Sequence, residues 1–357
     1  LFGRIPIRMS RAFRSGSAVP FKRAVFLNNQ VGEVDEMLEL FNDIRDDLQA
    51  VEKELRAVVQ TQNPLLTETS THLLNAGGKR LRPALSLFGA KFYNFNLEKV
   101  LPLAVALELI HMATLVHDDV VDVAMTRRGI PTVKARWGNS ISIHIGTYLF
   151  AKSLILIAKY EDTPLISRVL SDTSVKMCEG EIQQISASFD VYQSLKDYFY
   201  RIKRKTALLI AASAQLGAVA CGAPGSIHLP LRRYGHNIGM AFQITDDILD
   251  MVADQSQLGK PIGSDLRQGI ITLPVIYALA NSDRREYLME LVNKVDKNED
   301  EVQEAIKIIK DCGAIEYSFE ITRKYIRRAK EELMSLPDIP TRWTLSLAAD
   351  FIGIRKF

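Results

Sequence analysis

Cysteine is scarce in this 357-residue chain. Cys178, Cys221 and Cys312 lie far apart. They offer neither metal-ligand spacing nor a disulfide framework, and they suit a reducing cytoplasm. Net charge is equally sparse, at +3. That leaves no global basic field for nucleic acid. No uninterrupted apolar run reaches the length of a membrane span: Val100 to Val116 is broken by Glu108 and His111 and suits a core helix better. Alternating strand runs, solenoid repeats and the GxxxxGK[ST] spacing of a nucleotide-binding loop are absent as well.

What is present is apolar periodicity at three- and four-residue steps. It predicts helices over 65–75, 84–92, 100–124, 139–160, 165–188, 194–221, 228–252, 272–281, 285–297, 299–311, 313–335 and 342–353. Gly77-Gly78, Gly129-Ile-Pro131, Gly222-Ala-Pro224 and Gly259-Lys-Pro261 mark breaks. With an apolar fraction of 47%, an all-α protein is expected, one bundle around one cavity. Residues 1–36 differ. They carry six basic residues against three acidic ones, as a transit-like leader does, or a translated upstream stretch. On the second reading the protein opens at Met37, where an amphipathic helix begins. Residues 37–357 are expected to form a single domain.

Two carboxylate clusters carry the chemistry. Asp118 and Asp122 share one helix face with Asp119 beside them, and Asp246, Asp247 and Asp250 repeat the DDxxD pattern. Each follows an apolar helix face. One such cluster is as readily a solvated helix end. Two at apolar helix ends point to cations, because grouped carboxylates near an apolar interior are costly unless compensated. Hard oxygen ligands suit Mg²⁺, which is commonly shared with phosphate oxygens.

Basic motifs stand beside these clusters. Gly77-Gly78-Lys79-Arg80-Leu81-Arg82-Pro83 is a glycine turn loaded with cations, able to bring backbone and side chains close to a phosphate. Arg127-Arg128-Gly129 follows the first aspartates, Arg201-Ile-Lys203-Arg204-Lys205-Thr206 opens an apolar run, and Gly259-Lys260-Pro261 follows the second aspartates. Any one alone would be a solvated basic patch. Together they imply two anion sites of different kind. One is reached through metal, for a diphosphate that leaves. The other is held directly by Arg and Lys, for a diphosphate that stays.

GGKRLRP, HMATLVHDDVVDVAMTRRG, KRKTALL, GMAFQITDDILD and GKPIGSDL, in this order across residues 37–357, resemble the trans-polyprenyl diphosphate synthase family. The resemblance is narrower toward the large catalytic component of bacterial heptaprenyl diphosphate synthases. It rests on Ala76 to Arg80, Arg201 to Ile210 and the C-terminal Ile352 to Phe357. It implies an isoprenoid-synthase-type helical bundle around a central cavity. It implies Mg²⁺ held by Asp118, Asp122, Asp246 and Asp250, with Asp119 and Asp247 in support. Lys79, Arg82, His111 and Arg128 would bind isopentenyl diphosphate. Arg127, Lys205, Thr206, Gln243 and Lys260 would hold the allylic diphosphate.

The implied reaction is repeated condensation of the two diphosphates into a long prenyl chain, of heptaprenyl length, for the menaquinone side chain. A small regulatory subunit is the implied partner, with no nucleic acid and no membrane span. Ala113, five before the first aspartate, is the implied chain-length position: a small residue there leaves room for a long product. Two departures stand out. Thr147 replaces the family's usual aspartate, and Ile270 stands where many members carry lysine. A non-catalytic homologue of the same fold, a terpene cyclase and a plain helical scaffold are the competing readings. The cyclase would leave Lys79, Arg82 and Arg128 without a purpose.

Overall fold

A computed structural model describes residues 41–252 and 262–354. The start of the helix expected at Met37, the Gly259-Lys260-Pro261 turn and the last three residues lie outside the described residues, as does the basic segment 1–36. After a short 3₁₀ turn, helices succeed one another: α1 Arg45–Val58, α2 Pro64–Asn75, α3 Leu81–Lys91, α4 Leu97–Val121, α5 Val133–Ile157 and α6 Pro164–Ser186. Then come α7 Leu195–Ile202, a π-helical turn Lys203–Ala207, α8 Leu208–Ala220 and α9 Gly225–Val252. The chain closes with α10 Ser264–Arg267, α11 Leu273–Asn281, α12 Arg285–Asn293, α13 Glu299–Asp311, α14 Ala314–Leu333 and α15 Pro340–Ile354. Among the described residues the only strands are β1 Thr126–Arg127 and β2 Ile130–Pro131, an antiparallel hairpin turning at Arg128-Gly129. The protein is all-α, as its periodicity predicts.

Local chemistry sets the helix starts. Asn63 accepts from the N–H groups of Leu65 and Leu66 ahead of Pro64. Asn96 and Thr132 cap α4 and α5. Ser194 with Asp197 and Asn298 with Glu301 form reciprocal capping boxes. Each cap contributes about 1 kcal/mol.

The middle of α4 is buried on all sides, with Leu103, Ala104, Val105, Ala106, Leu107 and Leu109 fully enclosed, so it needs no polar stripe. Pro102 interrupts its ladder. The Tyr160 hydroxyl accepts the Leu103 N–H at 3.0 Å and donates to the Lys99 carbonyl at 2.7 Å, keeping that backbone satisfied. α4 and α5 are long and apolar enough to cross a membrane by length and composition. α4 is walled in by protein, while α5 leaves Ile143, Leu154 and Ile155 exposed.

Two apolar clusters form rather than one. The first gathers α1, α3, α4, α8 and the start of α9, with Leu55, Phe88, Leu107, Leu216 and Tyr234. The second gathers the end of α9 with α11 to α14, including Ile248, Leu273, Val292 and Ile309. α9, about 42 Å long by its residue count, passes through both and holds them together. The backbones of α3 and α8 come very close together. A Cβ on Gly217 would stand 1.8 Å from the Ser86 carbonyl oxygen, and one on Gly89 would stand 2.3 Å from that of Ala214. Only glycine lets these backbones approach so closely.

Candidate active site

Two cavities lie between α4 and α9. The first, of about 880 Å³, is lined by Lys79, Arg80, Arg82, His111 and Arg128, with Glu52, Glu108 and apolar residues of α9 and α15. The second, of about 650 Å³, is lined by Asp118, Asp122, Arg127, Lys205, Gln243, Asp246 and Asp247. Arg128 and Asp246 line both. The single expected cavity is thus two adjoining chambers of opposite character.

The cationic chamber is built on the glycine turn. Arg80 has φ 46°, in the left-handed region, and directly precedes α3. Its guanidinium lies 3.0 Å from Glu52, which fixes the turn, and 3.1 Å from Glu108. Arg128, also left-handed at φ 53° in the hairpin turn, donates to the Gly77 carbonyl and faces Gly78, where a Cβ would meet its Nη1 at 2.6 Å. A side chain at 78 would therefore push Arg128 out of the chamber. Burial lowers Arg82 to about 10, with Glu108 opposing the fall and Arg128 adding to it. Burial also takes His111 well below its ordinary value, reinforced by Arg82 and Arg128, so it is neutral. Lys79 stands 5.8 Å from the Phe351 ring centre.

The acidic chamber has a different construction. α4 ends at Val121, one residue short of Asp122, and Val123 turns left-handed at φ 53°. The first cluster therefore occupies a helix end, whereas Asp246 and Asp247 lie inside α9. Burial raises Asp118 to about 7, Lys205 opposing and Glu181 adding to the rise. Burial raises Asp122 as well. Burial works against the Lys205 charge, but Asp118, Glu181 and Asp122 outweigh it, and the ammonium is held more firmly protonated.

Three of the aspartates are engaged by the protein itself. Asp119 is 2% exposed and accepts from Arg127 at 2.7 and 2.8 Å, so part of the Arg127 fork is already engaged. Asp247 accepts from the Tyr198 hydroxyl at 2.7 Å and from Gln243 at 2.9 Å, and Gln243 in turn accepts from Thr206 at 2.6 Å. This chain orients Gln243. Thr206 acts through Gln243 rather than lining the chamber itself. Asp250 is fully buried and accepts the Asp265 N–H at 3.0 Å, fixing the turn that brings Asp265 to the wall. Lys260 lies outside the described residues. Ala113 is 2% exposed in the core and lines neither chamber.

Glu181 and Tyr198 escaped the sequence reasoning, each acting through a residue it had named. Lys205 sits in the π-helical turn, a widening of the helix frequent at functional sites. Its Nζ is 2.7 Å from Glu181 on α6. The signal was Gly180: a Cβ there would meet Arg204 Cβ at 2.8 Å and Lys205 N at 3.1 Å. Ile270 does line the acidic chamber, where the family's lysine would stand. Buried Arg201 lines it too and ties down the same segment through the Ile271 carbonyl at 2.6 Å. Thr147 is exposed and bonds back to Ile143 of its own helix, so that departure lies away from the chambers.

Among the described residues, no group of three or more His, Cys, Asp or Glu side chains stands ready to hold a metal by itself. The donors nevertheless fit Mg²⁺. Asp118 and Asp122 present hard oxygens in a polar chamber with room for phosphate oxygens and water to complete the octahedron.

A helical bundle with adjoining acidic and cationic chambers defines an all-α isoprenoid synthase. The polyprenyl synthetase family model matches residues 63–309, and the chain belongs to that family. It is 48% identical over 318 residues to heptaprenyl diphosphate synthase component 2 of Geobacillus stearothermophilus, covering 89% of this chain and 98% of that one. It is 44% identical over 317 residues to component 2 of Bacillus subtilis (strain 168), covering 89% and 90%. Its fold matches the crystal structure of heptaprenyl diphosphate synthase from Staphylococcus aureus with TM-score 0.83 and 34% identity, over 88% of this chain and 99% of that chain. It matches the polyprenyl synthase of Caulobacter crescentus, solved with calcium and isoprenyl diphosphate, with TM-score 0.85 and 33% identity, over 91% and 98%.

Proposed function

We propose that this chain is the catalytic component of a long-chain trans-prenyltransferase. It joins an allylic diphosphate to successive isopentenyl diphosphates up to heptaprenyl length, the menaquinone side chain being the destination. The observation that carries this reading is the pair of chambers: one that sets aspartates beside Arg127, Arg201 and Lys205, and one lined chiefly by guanidinium groups and Lys79, sharing Arg128 and Asp246. A cyclase would need only the first.

The residues divide the work accordingly. Lys79, Arg82, His111 and Arg128 anchor the diphosphate of isopentenyl diphosphate, the arginines by charge-assisted bonds. Asp118, Asp122 and Asp246 hold Mg²⁺, which when bound neutralises the allylic diphosphate and the charge that grows as it departs. Lys205, Arg127 and the oriented Gln243 grip the same group. The allylic C–O bond breaks with its electron pair going to diphosphate, which leaves a delocalised cation. The isopentenyl double bond supplies the electrons of the new C–C bond. The resulting cation loses a proton to the released diphosphate and a double bond re-forms. Apolar walls such as Leu115 and Phe242 keep out the water that would quench the cation.

The word "component" in the relatives' names supports a second subunit for this chain. So do the apolar side chains left exposed on α5 and α6: Leu154, Ile155, Val175 and Ile182.

The test is an assay of the full chain with labelled isopentenyl diphosphate and an allylic primer, alone and co-expressed with a candidate small subunit, followed by chromatography of the products. The expected outcome is heptaprenyl product that needs Mg²⁺ and rises with the partner. Turnover of the primer without isopentenyl incorporation would refute it.

A further inference from the structure

Anchoring a diphosphate accounts for the cations of the first chamber but not for Glu108. This residue lies on α4, ten positions before Asp118, and is 4% exposed. Its Oε1 is 3.1 Å from Arg80, and its Oε2 is buried with no hydrogen-bond partner. The Nε of Arg82 is buried and unpartnered in the same wall. Arg80 already has Glu52 at 3.0 Å, so positioning that arginine does not require a second carboxylate. A buried carboxylate in a chamber that receives an anion repels the anion, and burial weakens the screening that would mute it.

We propose that Glu108 is a counter-charge that limits how tightly the cationic chamber holds a diphosphate, so that each lengthened chain is released to the acidic chamber for the next condensation. The inference rests on the function proposed above. After every condensation the growing chain carries the diphosphate that arrived with the isopentenyl unit, and that group sits in the cationic chamber. The next round requires it among Asp118, Asp122 and Asp246. Arg128 and Asp246 border both chambers, so the two sites adjoin. What decides the transfer is how readily Lys79, Arg82 and Arg128 let go. Unopposed, these cations, clustered at one wall of the chamber, would retain the product and end elongation early. Glu108 lowers the retention without occupying the space the anion needs. Glu52, about a third exposed and shared with Arg56, is a weaker version of the same charge.

The test is Glu108→Gln in the full chain, with its partner subunit where one is needed. The amide keeps the shape and the acceptor facing Arg80. The KM for isopentenyl diphosphate is expected to fall about three- to tenfold, inorganic diphosphate to inhibit at lower concentration, and the products to shift toward shorter chains. Glu52→Gln should move all three readouts the same way by less, and it serves where Glu108→Gln folds poorly. A merely structural role predicts a higher KM, a lower melting temperature and unchanged chain length, and that result overturns the inference. A wild-type chain that never elongates removes the functional reading itself. A wild type that elongates, beside a Glu108→Gln variant with the same KM and products, removes only this inference.

Discussion

The two chambers solve one problem, holding a diphosphate away from bulk water, with opposite charge. In the cationic chamber the protein supplies the countercharge itself, from Lys79, Arg82 and Arg128 on a glycine turn and a hairpin. In the acidic chamber Arg127, Arg201 and Lys205 stand among carboxylates that repel the same ligand until metal cations arrive. Burial lifts Asp118 to about 7 there, with Glu181 and Asp122 adding to the rise: a bound cation would ease the cost of keeping the carboxylate charged. The contrast separates the diphosphate that must stay from the one that must leave. A direct grip suits the diphosphate that stays and whose charge does not change, whereas a metal-mediated grip strengthens as charge develops on the departing oxygen.

Breaking the acidic side should have the larger effect. Asp118→Asn removes a charge that would face the metal, and a loss of about a thousandfold in kcat is expected. Its melting temperature should not fall, because the neutral amide escapes the cost of burying a carboxylate. Steady-state kinetics beside a thermal melt checks both. On the cationic side, Arg82→Met should raise the KM for isopentenyl diphosphate about ten- to a hundredfold, the scale of one charge-assisted bond lost from a buried site, with the KM for the allylic substrate nearly unchanged. Equal shifts in both constants would mean that the chambers do not divide the substrates.

Much of this was legible in the sequence. Three- and four-residue periodicity gave the helices, because one apolar face must be buried whatever the fold. The repeated aspartates and the basic turns gave two kinds of anion site, since charge type follows ligand chemistry. The division of labour within each cluster was not legible. That Asp119 is spoken for by Arg127 and Asp247 by Tyr198 and Gln243 depends on helices brought together from distant parts of the chain. Helical spacing says which residues share a face, not which neighbour meets that face. Glu181 and Tyr198 were hidden for the same reason: each matters through a residue 24 or 49 positions away. The π-helical turn at Lys203–Ala207 was hidden because one extra residue in a helical turn leaves the apolar pattern almost unaltered.

The central claim is that one diphosphate is held through metal and the other directly. Calorimetric titration of the chain with isopentenyl diphosphate and with a non-ionisable allylic diphosphate analogue, each with Mg²⁺ and with chelator, tests it most directly. The account predicts that isopentenyl diphosphate binds in both conditions with similar affinity, while the allylic analogue binds only with Mg²⁺. Equal dependence of the two ligands on Mg²⁺ would contradict it.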